Sequence, residues 1–131
     1  GFTNAKTTAE FIKYQLSDEV DSVNIVASHP TGDDDLACAE YIKSILEGDE
    51  SVSAEEVIQR IKRSHVAAKF FDEENPAFAS EDIVECTKEL DTNFVMMINK
   101  NGKTPMIERV KEWQKQIWFY QAGKQNRGKA D

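Results

Sequence analysis

The sequence has no long apolar run, few cysteines and no excess of positive charge. None of its apolar stretches approaches the ~18 to 20 residues that a membrane-spanning helix requires. Hydrophobic residues make up 40% and charged residues 31% of the 131 residues, which is typical of a globular protein. The composition therefore predicts a soluble protein with no membrane partner.

The two cysteines, Cys38 and Cys86, lie within helical patterns and not at the spacing of a zinc site or a disulfide framework. No basic segment followed by an apolar one marks a secretion signal. Together these absences predict a cytoplasmic setting. The chain opens on Gly1 without a Met, and a helical pattern starts almost at once. Either the sequence has been trimmed or it is the later part of a longer protein.

Positive charge is scarce in most of the chain. The net charge is −8, but residues 1–100 carry 21 acidic against 9 basic groups, whereas residues 101–131 carry 3 against 7. An acidic body repels phosphate backbones at long range, so we expect no nucleic-acid partner. The basic end is typical of a solvated, partly disordered tail.

The first half of the chain has the pattern of an α/β unit. Apolar residues at helical spacing predict a first helix, which Thr3 or Asn4 can cap. Residues 23–28, "VNIVAS", have the length and β-branched content of a buried strand. A second helix is predicted from Asp33 to about Leu46. The inward stripe of the first helix is Ala5, Ala9, Ile12 and Leu16.

Two more helices are predicted in the middle of the chain. Ser53 and Glu56 have capping-box spacing and announce a helix that bends or ends near Phe71. Ser80 is a candidate N-cap for the next helix. The inward stripe of that helix is Ile83, Cys86, Thr87 and Leu90.

The end of the chain predicts a hairpin and a last helix. Residues 94–98, "FVMMI", read as a strand, and the Asn-Gly pair at 101–102 predicts a tight turn that pairs residues 94–99 with roughly 104–108. Apolar residues from Val110 to Tyr120 suit an amphipathic helix. We therefore divide the chain into an α/β domain, residues 1–110, and a helix with a basic tail, residues 111–131.

Two or three strands are too few to cover the apolar faces of five or six helices. The predicted fold class is α/β, a three-layer α/β/α-type domain whose small sheet is part of a larger one. The remaining strands would come from a missing segment or from another subunit.

Three consecutive aspartates, 33–35, separate the predicted strand from the second helix. At ~100° per residue, Asp33 shares a face with Ala37, Glu40 and Ser44, and we predict that it points outward as a cap or dipole-stabilising residue. Asp35 begins the predicted inward face, with Cys38, Ala39 and Ile42, and Asp34 lies at its flank.

Two interpretations of the inward carboxylates remain open from spacing alone. Asp35 can accept hydrogen bonds from nearby loop amides, or Asp34 and Asp35 can hold Mg²⁺ next to a phosphate. His29, at the end of the predicted strand, is either an ordinary loop residue or a group that orients a phosphate or a water. The sequence contains no Gly-rich phosphate loop and no nucleophile elbow.

Three stretches, in the same order, resemble the 2-phosphosulfolactate phosphatase family. "GFTNAKTTAEFI" resembles its Gly-x-x-Asn-Ala-x-x-x-Ala segment, "DDLACAEYI" its Glu-Asp-Leu/Phe-x-Cys-Ala-Gly helix start, and "ASEDIVECTKELD" its late Asp-Val-x-x-Cys segment. Asp34 stands where the family usually has Glu, and Glu40 where it has Gly. The family's Asp-x-x-Arg-Ala-x-Thr and Thr-Thr-Asn-Gly-Thr segments do not occur in this chain.

The resemblance implies the carboxyl-terminal half of a Mg²⁺-dependent phosphatase with a three-layer α/β/α fold. Its substrate would be a small phosphorylated organic acid such as 2-phosphosulfolactate, cleaved to sulfolactate and phosphate. Asp34 and Asp35 would hold Mg²⁺, with Asp35 and His29 in catalysis, and the helix starts at Asn4 and Thr31 would bind substrate oxyanions. The chain would be inactive alone, and it would pair with the missing half or form a homo-oligomer. The alternative is a non-catalytic binding or interaction domain of α/β fold.

Overall fold

In a computed structural model the described residues are 1–16, 18, 20–29, 31–90 and 92–111. The described residues divide into two compact units, one before and one after residue 91. The first unit is helical and the second contains a small sheet. The α/β fold class is thereby confirmed, while the three-layer arrangement stays a prediction for the longer family protein. No helix among the described residues is long and apolar enough to cross a membrane.

Four α-helices make up most of the first unit. They are α1, Ala5–Phe11; α2, Asp33–Glu47; α3, Ala54–Arg63; and α4, Ser80–Cys86. Short 3₁₀ turns at Phe2–Asn4 and Ala67–Phe71 and a π-helical stretch at Ile12–Leu16 complete it. Helix α2 packs against both α1 and α3. The core of the first unit contains these buried residues: Phe2, Ala5, Ala37, Tyr41, Val57, Ile61, Ala67 and Ile83.

The helix ends agree only in part with the sequence predictions. The Ser53–Glu56 capping box is present in both directions and starts α3. That helix ends at Arg63, earlier than predicted, because Ser64 turns to extended backbone and its hydroxyl accepts from the amide of Ala67 at 3.2 Å. The chain then continues as a 3₁₀ turn to Phe71. Ala79, not Ser80, occupies the N-cap of α4, with no side-chain hydrogen bond.

The predicted face of α2 is wrong. Its buried stripe is Ala37, Tyr41 and Ser44, of which the sequence reading placed the first and last outward beside Asp33. Small side chains at these two positions let neighbouring helices approach closely, a packing effect that a count of apolar residues does not detect. Cys38 and Ile42 are only partly buried, on the flank of this stripe.

The predicted strand at residues 23–28 is also corrected. Residues 22–27 run without helix, turn, bend or strand pairing among the described parts of the chain. A strand needs a partner for its main-chain groups, and the described residues place none beside this segment. The sequence pattern is that of a strand, but no described residue forms inter-strand hydrogen bonds with it.

The second unit contains a two-stranded antiparallel sheet, β1 at Phe94–Asn99 and β2 at Met106–Lys111. The predicted hairpin is therefore confirmed, although the pairing runs from Asn99 with Met106 to Phe94 with Lys111. Six residues, 100–105, connect the strands instead of a two-residue Asn-Gly turn, because the side chain of Asn99 accepts from the amide of Asn101 at 2.9 Å and opens the connection earlier.

The predicted last helix lies outside the described residues, except for its first member. Val110 belongs to β2 and is not helical. The division at residue 110 stays a prediction, since residues 112–131 are not described.

Candidate functional site at the start of helix α2

Helix α2 starts without a capping side chain. Gly32 occupies its N-cap, is buried and makes no side-chain hydrogen bond. Asp33, Asp34 and Asp35 form the first turn, and the first helical bond of this turn runs from the amide of Leu36 to the carbonyl of Gly32. The amides of the three aspartates therefore have no acceptor within the helix, so this end favours negative charge.

Gly32 is the point around which the predicted site residues gather. A Cβ at Gly32 would lie 3.1 Å from Oδ1 of Asp34, 3.2 Å from Cβ of His29 and 3.6 Å from Oδ2 of Asp35. Its φ of −81° is open to any residue, so the reason for glycine here is close approach and not backbone conformation. The structure thus places Cβ of His29 and one oxygen each of Asp34 and Asp35 within 4 Å of this point. Their roles as site residues stay a prediction.

Asp35 has a partner that the sequence reading missed. The hydroxyl of Ser28 donates to Oδ2 of Asp35 at 2.6 Å. Ser28 comes directly before His29, so this bond ties the end of the segment at residues 22–27 to the first turn of α2. It leaves Oδ1 of Asp35 and both oxygens of Asp34 with no hydrogen bond to a described residue. The sequence does contain a signal for this contact: Ser28 is a hydroxyl residue at the end of the strand-like segment, next to His29.

The ring of His29 is oriented by Thr31. The amide of Thr31 donates to Nδ1 of His29 at 3.3 Å, and the Thr31 hydroxyl lies 3.1 Å from the same atom. Because Nδ1 accepts from a main-chain N–H, a neutral ring carries its proton on Nε2. His29 can then present an N–H donor from Nε2. The same contact occupies the amide of Thr31, so the amides without an acceptor at this helix start are those of the aspartates. A substrate contact at Thr31 stays a prediction.

Asp33 is separate from this group and joins two helices. The Arg60 guanidinium on α3 donates through Nε to both Asp33 oxygens, at 3.0 and 3.1 Å, and also binds Glu40. The hydrogen bonds and charge of Arg60 hold the pKa of Asp33 below its usual range. Of the two roles predicted for Asp33, the helix cap is wrong, since Gly32 is the N-cap. Asp33 does lie in the first turn, where a negative charge stabilises the helix dipole, and it also pairs with α3.

Asn4, the other predicted substrate ligand, lies at a different helix start. It is the N-cap of α1, and its side chain makes no capping hydrogen bond. No hydrogen bond or ion pair among the described residues joins it to the His29 group. A substrate contact at Asn4 stays a prediction.

The thiol of Cys38 lies on α2, three residues after Asp35. Burial raises its pKa, the amino group of Gly1 opposes that shift, and the Asp35 carboxylate adds to it. A raised pKa keeps the thiol protonated, whereas nucleophilic cysteines have a lowered one. The candidate reactive groups here are therefore the carboxylates and His29, whose roles stay a prediction.

Carboxylates are the groups available here for a cation. Within the described ranges no group of three or more His, Cys, Asp or Glu side chains is arranged to hold a metal. Asp34 and Asp35 form a pair, and one or two carboxylates are what Mg²⁺ usually takes from a protein when it also binds phosphate. An uncapped helix start favours a negatively charged group, so an anion beside such a cation is a compatible combination at this end of α2.

Comparison with known proteins gives the particular family. The chain is 59% identical over 110 residues to a probable 2-phosphosulfolactate phosphatase of Bacillus subtilis (strain 168), a match that covers 84% of this chain and 48% of that protein. No family model matches the chain, and no solved structure matches it. The chain belongs to the 2-phosphosulfolactate phosphatase family and spans about half the length of the curated relative it matches.

Proposed function

We propose that this chain supplies one wall of the active site of a Mg²⁺-dependent phosphatase acting on 2-phosphosulfolactate or a similar small phosphorylated acid. The observation that carries the proposal is the convergence of His29, Asp34 and Asp35 on Gly32, in a chain 59% identical to a probable 2-phosphosulfolactate phosphatase. The other wall would come from the part of the family protein that this chain does not match.

The donor set fits Mg²⁺. Asp34 offers two carboxylate oxygens, and Asp35 offers Oδ1 while Ser28 binds Oδ2. Hard oxygen ligands from two adjacent carboxylates, with waters and a phosphate oxygen filling the remaining positions, suit this ion. When bound, Mg²⁺ would neutralise charge on the phosphate and polarise its phosphorus centre.

The chain's own residues have distinct tasks in this proposal. The amides of the first turn of α2 would bind phosphate oxygens, helped by the helix dipole. Nε2 of His29 would donate to a phosphate oxygen or orient the attacking water, because Thr31 fixes the ring through Nδ1. Ser28 is a positioning residue, since it holds Asp35 and lies one residue from His29.

The groups that gather at Gly32 are a pair of carboxylates and one imidazole. A phosphatase also needs a group that activates the nucleophile and one that protonates the leaving oxygen. We therefore propose that activity requires the unmatched part of the family protein, in the same chain or in a partner. A cytoplasmic location stays a prediction.

The test uses a full-length protein in which this chain replaces the matched part of the Bacillus subtilis relative. Release of inorganic phosphate from 2-phosphosulfolactate is measured with Mg²⁺ and with EDTA. We expect Asp35→Asn to lower kcat/KM by ~100-fold, because Mg²⁺ would lose an anionic ligand next to the phosphate.

The matched control is Asp33→Asn in the same helix turn. It removes the same charge but alters only the contact with Arg60, so turnover should stay within about threefold of the parent. Circular dichroism verifies that both variants fold. Near-normal activity of Asp35→Asn would remove Asp35 from the mechanism, and no phosphate release by the parent would favour a non-catalytic binding domain.

A further inference from the structure

The segment at residues 22–27 has the features of a β-strand without a partner. From residue 24 onward its side chains alternate in exposure, with Ile25 and Ala27 partly buried and Asn24 and Val26 exposed, whereas Ser22 and Val23 are both exposed. Alternation with a period of two is the pattern of a strand packed on one face. Ile25 and Val23 line a groove of about 540 Å³ together with Ile12 and Leu46, so the inner face lies beside α2 and the π-helical stretch.

The main chain of this segment is unpaired. The described residues provide no backbone hydrogen bond to any amide or carbonyl from residue 21 to residue 27, whereas the amide of Val20 still donates to Leu16. Straight, unpaired backbone of this kind accepts another strand along its edge.

The face of this segment that points away from the groove carries an apolar side chain. A strand face that remains in contact with water usually carries polar side chains. Val26, on this face, is 82% exposed, and Val20 and Val23, which line the groove on the other side, are still 40% and 43% exposed. In an antiparallel sheet with one solvated face, the outward positions are polar. Exposed β-branched residues beside an open backbone edge therefore call for a cover on this face as well as a neighbouring strand.

We propose that residues 22–27 become a β-strand by pairing with a strand from the part of the family protein that this chain does not match. That part accounts for about half of the Bacillus subtilis relative, which is enough chain for several strands and a covering layer. A second copy of this chain would add only one identical segment, and two strands alone make a marginal sheet.

The pairing would also prepare the candidate site, and in this respect the inference rests on the proposed function. Ser28 and His29 follow the segment directly, and Ser28 donates to Asp35. Fixing the segment in a sheet would fix where these residues stand relative to the first turn of α2. Residues 22–27 would thus connect the unmatched part of the family protein to the His29, Asp34 and Asp35 group at Gly32.

The experiment compares amide hydrogen exchange in two proteins, the 131-residue chain and the full-length protein that joins it to the unmatched part of the Bacillus subtilis relative. We expect exchange at residues 22–27 to slow by at least ~100-fold in the joined protein, since strand amides exchange only when the sheet opens. Equal exchange in both proteins would overturn the proposal.

Two pairs of variants separate strand pairing from general damage. Asn24→Pro removes an amide and blocks a neighbouring strand, so in the joined protein it should abolish most of the protection, whereas Asn24→Ala should retain it. Val26→Lys should also reduce protection, whereas Val84→Lys, at a 48% exposed position on α4, should not. In the 131-residue chain all four variants should melt at nearly the parent temperature; protection unaffected by Asn24→Pro would contradict strand pairing.

The other occupants give different results. Protection in the 131-residue chain that rises with its concentration would show a second copy, and protection lost when the chain is shortened after Lys111 would show the chain's own end; either result overturns the proposal. Protection at residues 22–27 without phosphate release would leave the inference intact and remove the proposed function.

Discussion

The amino ends of α2 and α3 carry acidic residues and belong to neighbouring helices, yet they are built differently. At α3, Ser53 accepts from the amide of Glu56 at 3.2 Å and Glu56 accepts from the amide of Ser53, so the cap is closed within four residues. At α2, a buried glycine takes the cap position and no side chain accepts from the first turn. The first turn of α3 therefore has hydrogen-bond acceptors for its amides from its own residues. The amides of the first turn of α2 have none and can donate to another group.

This difference separates stability from function. A capping box stabilises the helix that contains it and needs nothing else. The uncapped start of α2 lacks that stabilisation. A glycine at the N-cap instead allows His29, Asp34 and Asp35 to pack closely around it. Three predictions test whether the two helix starts differ in this way.

The largest effect is expected at Gly32. Gly32→Ala would place a methyl group 3.1 Å from Oδ1 of Asp34 and 3.2 Å from Cβ of His29, so these groups must move apart. Because the neighbours must shift by only a few tenths of an ångström, we expect phosphatase kcat/KM of the full-length joined protein to fall by ~10-fold, less than the ~100-fold that a 1 Å misplacement can cause.

Gly48→Ala is the matched control at the other end of α2. Gly48 has a φ of 71°, and its replacement should cost about 1 kcal/mol in the free energy of unfolding through backbone strain, with little change in kcat/KM. Urea denaturation and the phosphate-release assay measure both quantities. Loss of activity equal in the two variants would mean that Gly32 has no special relation to the site.

An intermediate effect is expected at Ser53. Ser53→Ala removes the acceptor for the amide of Glu56 and should lower the free energy of unfolding by about 1 kcal/mol. Urea denaturation of the 131-residue chain measures the change, and kcat/KM of the joined protein should stay constant. Ser51→Ala, in the preceding turn, is the control, since its hydroxyl caps no helix. An unchanged midpoint for Ser53→Ala would contradict a self-sufficient cap.

The smallest effect is expected at Asp33, and it should depend on pH. Arg60 lowers the pKa of Asp33 in the folded state, so the pair stabilises the fold above the unfolded value near 3.8, and this contribution is lost as pH falls through the folded pKa. Both side chains are partly exposed, at 37% and 46%, which limits the contribution to less than about 1 kcal/mol.

Denaturation of the parent and of Asp33→Asn at pH 7 and pH 3 measures this dependence. The difference between the two proteins should be present at pH 7 and should shrink at pH 3, where protonation begins to match the substitution. Glu47→Gln, in the exposed pair with Lys43 on the same helix, serves as the reference for an ordinary surface contact. A difference that grows on acidification would contradict the assigned pair.

Features that depend on residues close together in sequence were predicted well. Features that depend on residues close together only in space were not. The capping box at Ser53 and the hairpin strands follow from residues close together in sequence, and both are confirmed. The group of His29, Asp34 and Asp35 was also predictable, since it lies within seven residues. The roles of Gly32 and Ser28 were missed, because they depend on which atoms approach each other in space.

The face of α2 shows the limit most clearly. Its sequence suggested that Cys38 and Ile42 mark the inward side, but Ala37 and Ser44 are the buried positions. The contact of Asp33 with Arg60, 27 residues away, was equally beyond a local reading. A helix does not determine which of its stripes is covered until the helices on either side of it are in place.

The sequence by itself determined the family, the capping of α3 and the acidic group that follows a strand-like segment, because each is a matter of residue type and short spacing. The tertiary structure alone decided which aspartate serves which purpose: packing of α3 on α2 directs Asp33 to Arg60, while the turn through Gly32 holds Asp34 and Asp35 beside His29. It also left residues 22–27 without a ladder, since hydrogen bonds between strands exist only when a second strand lies alongside.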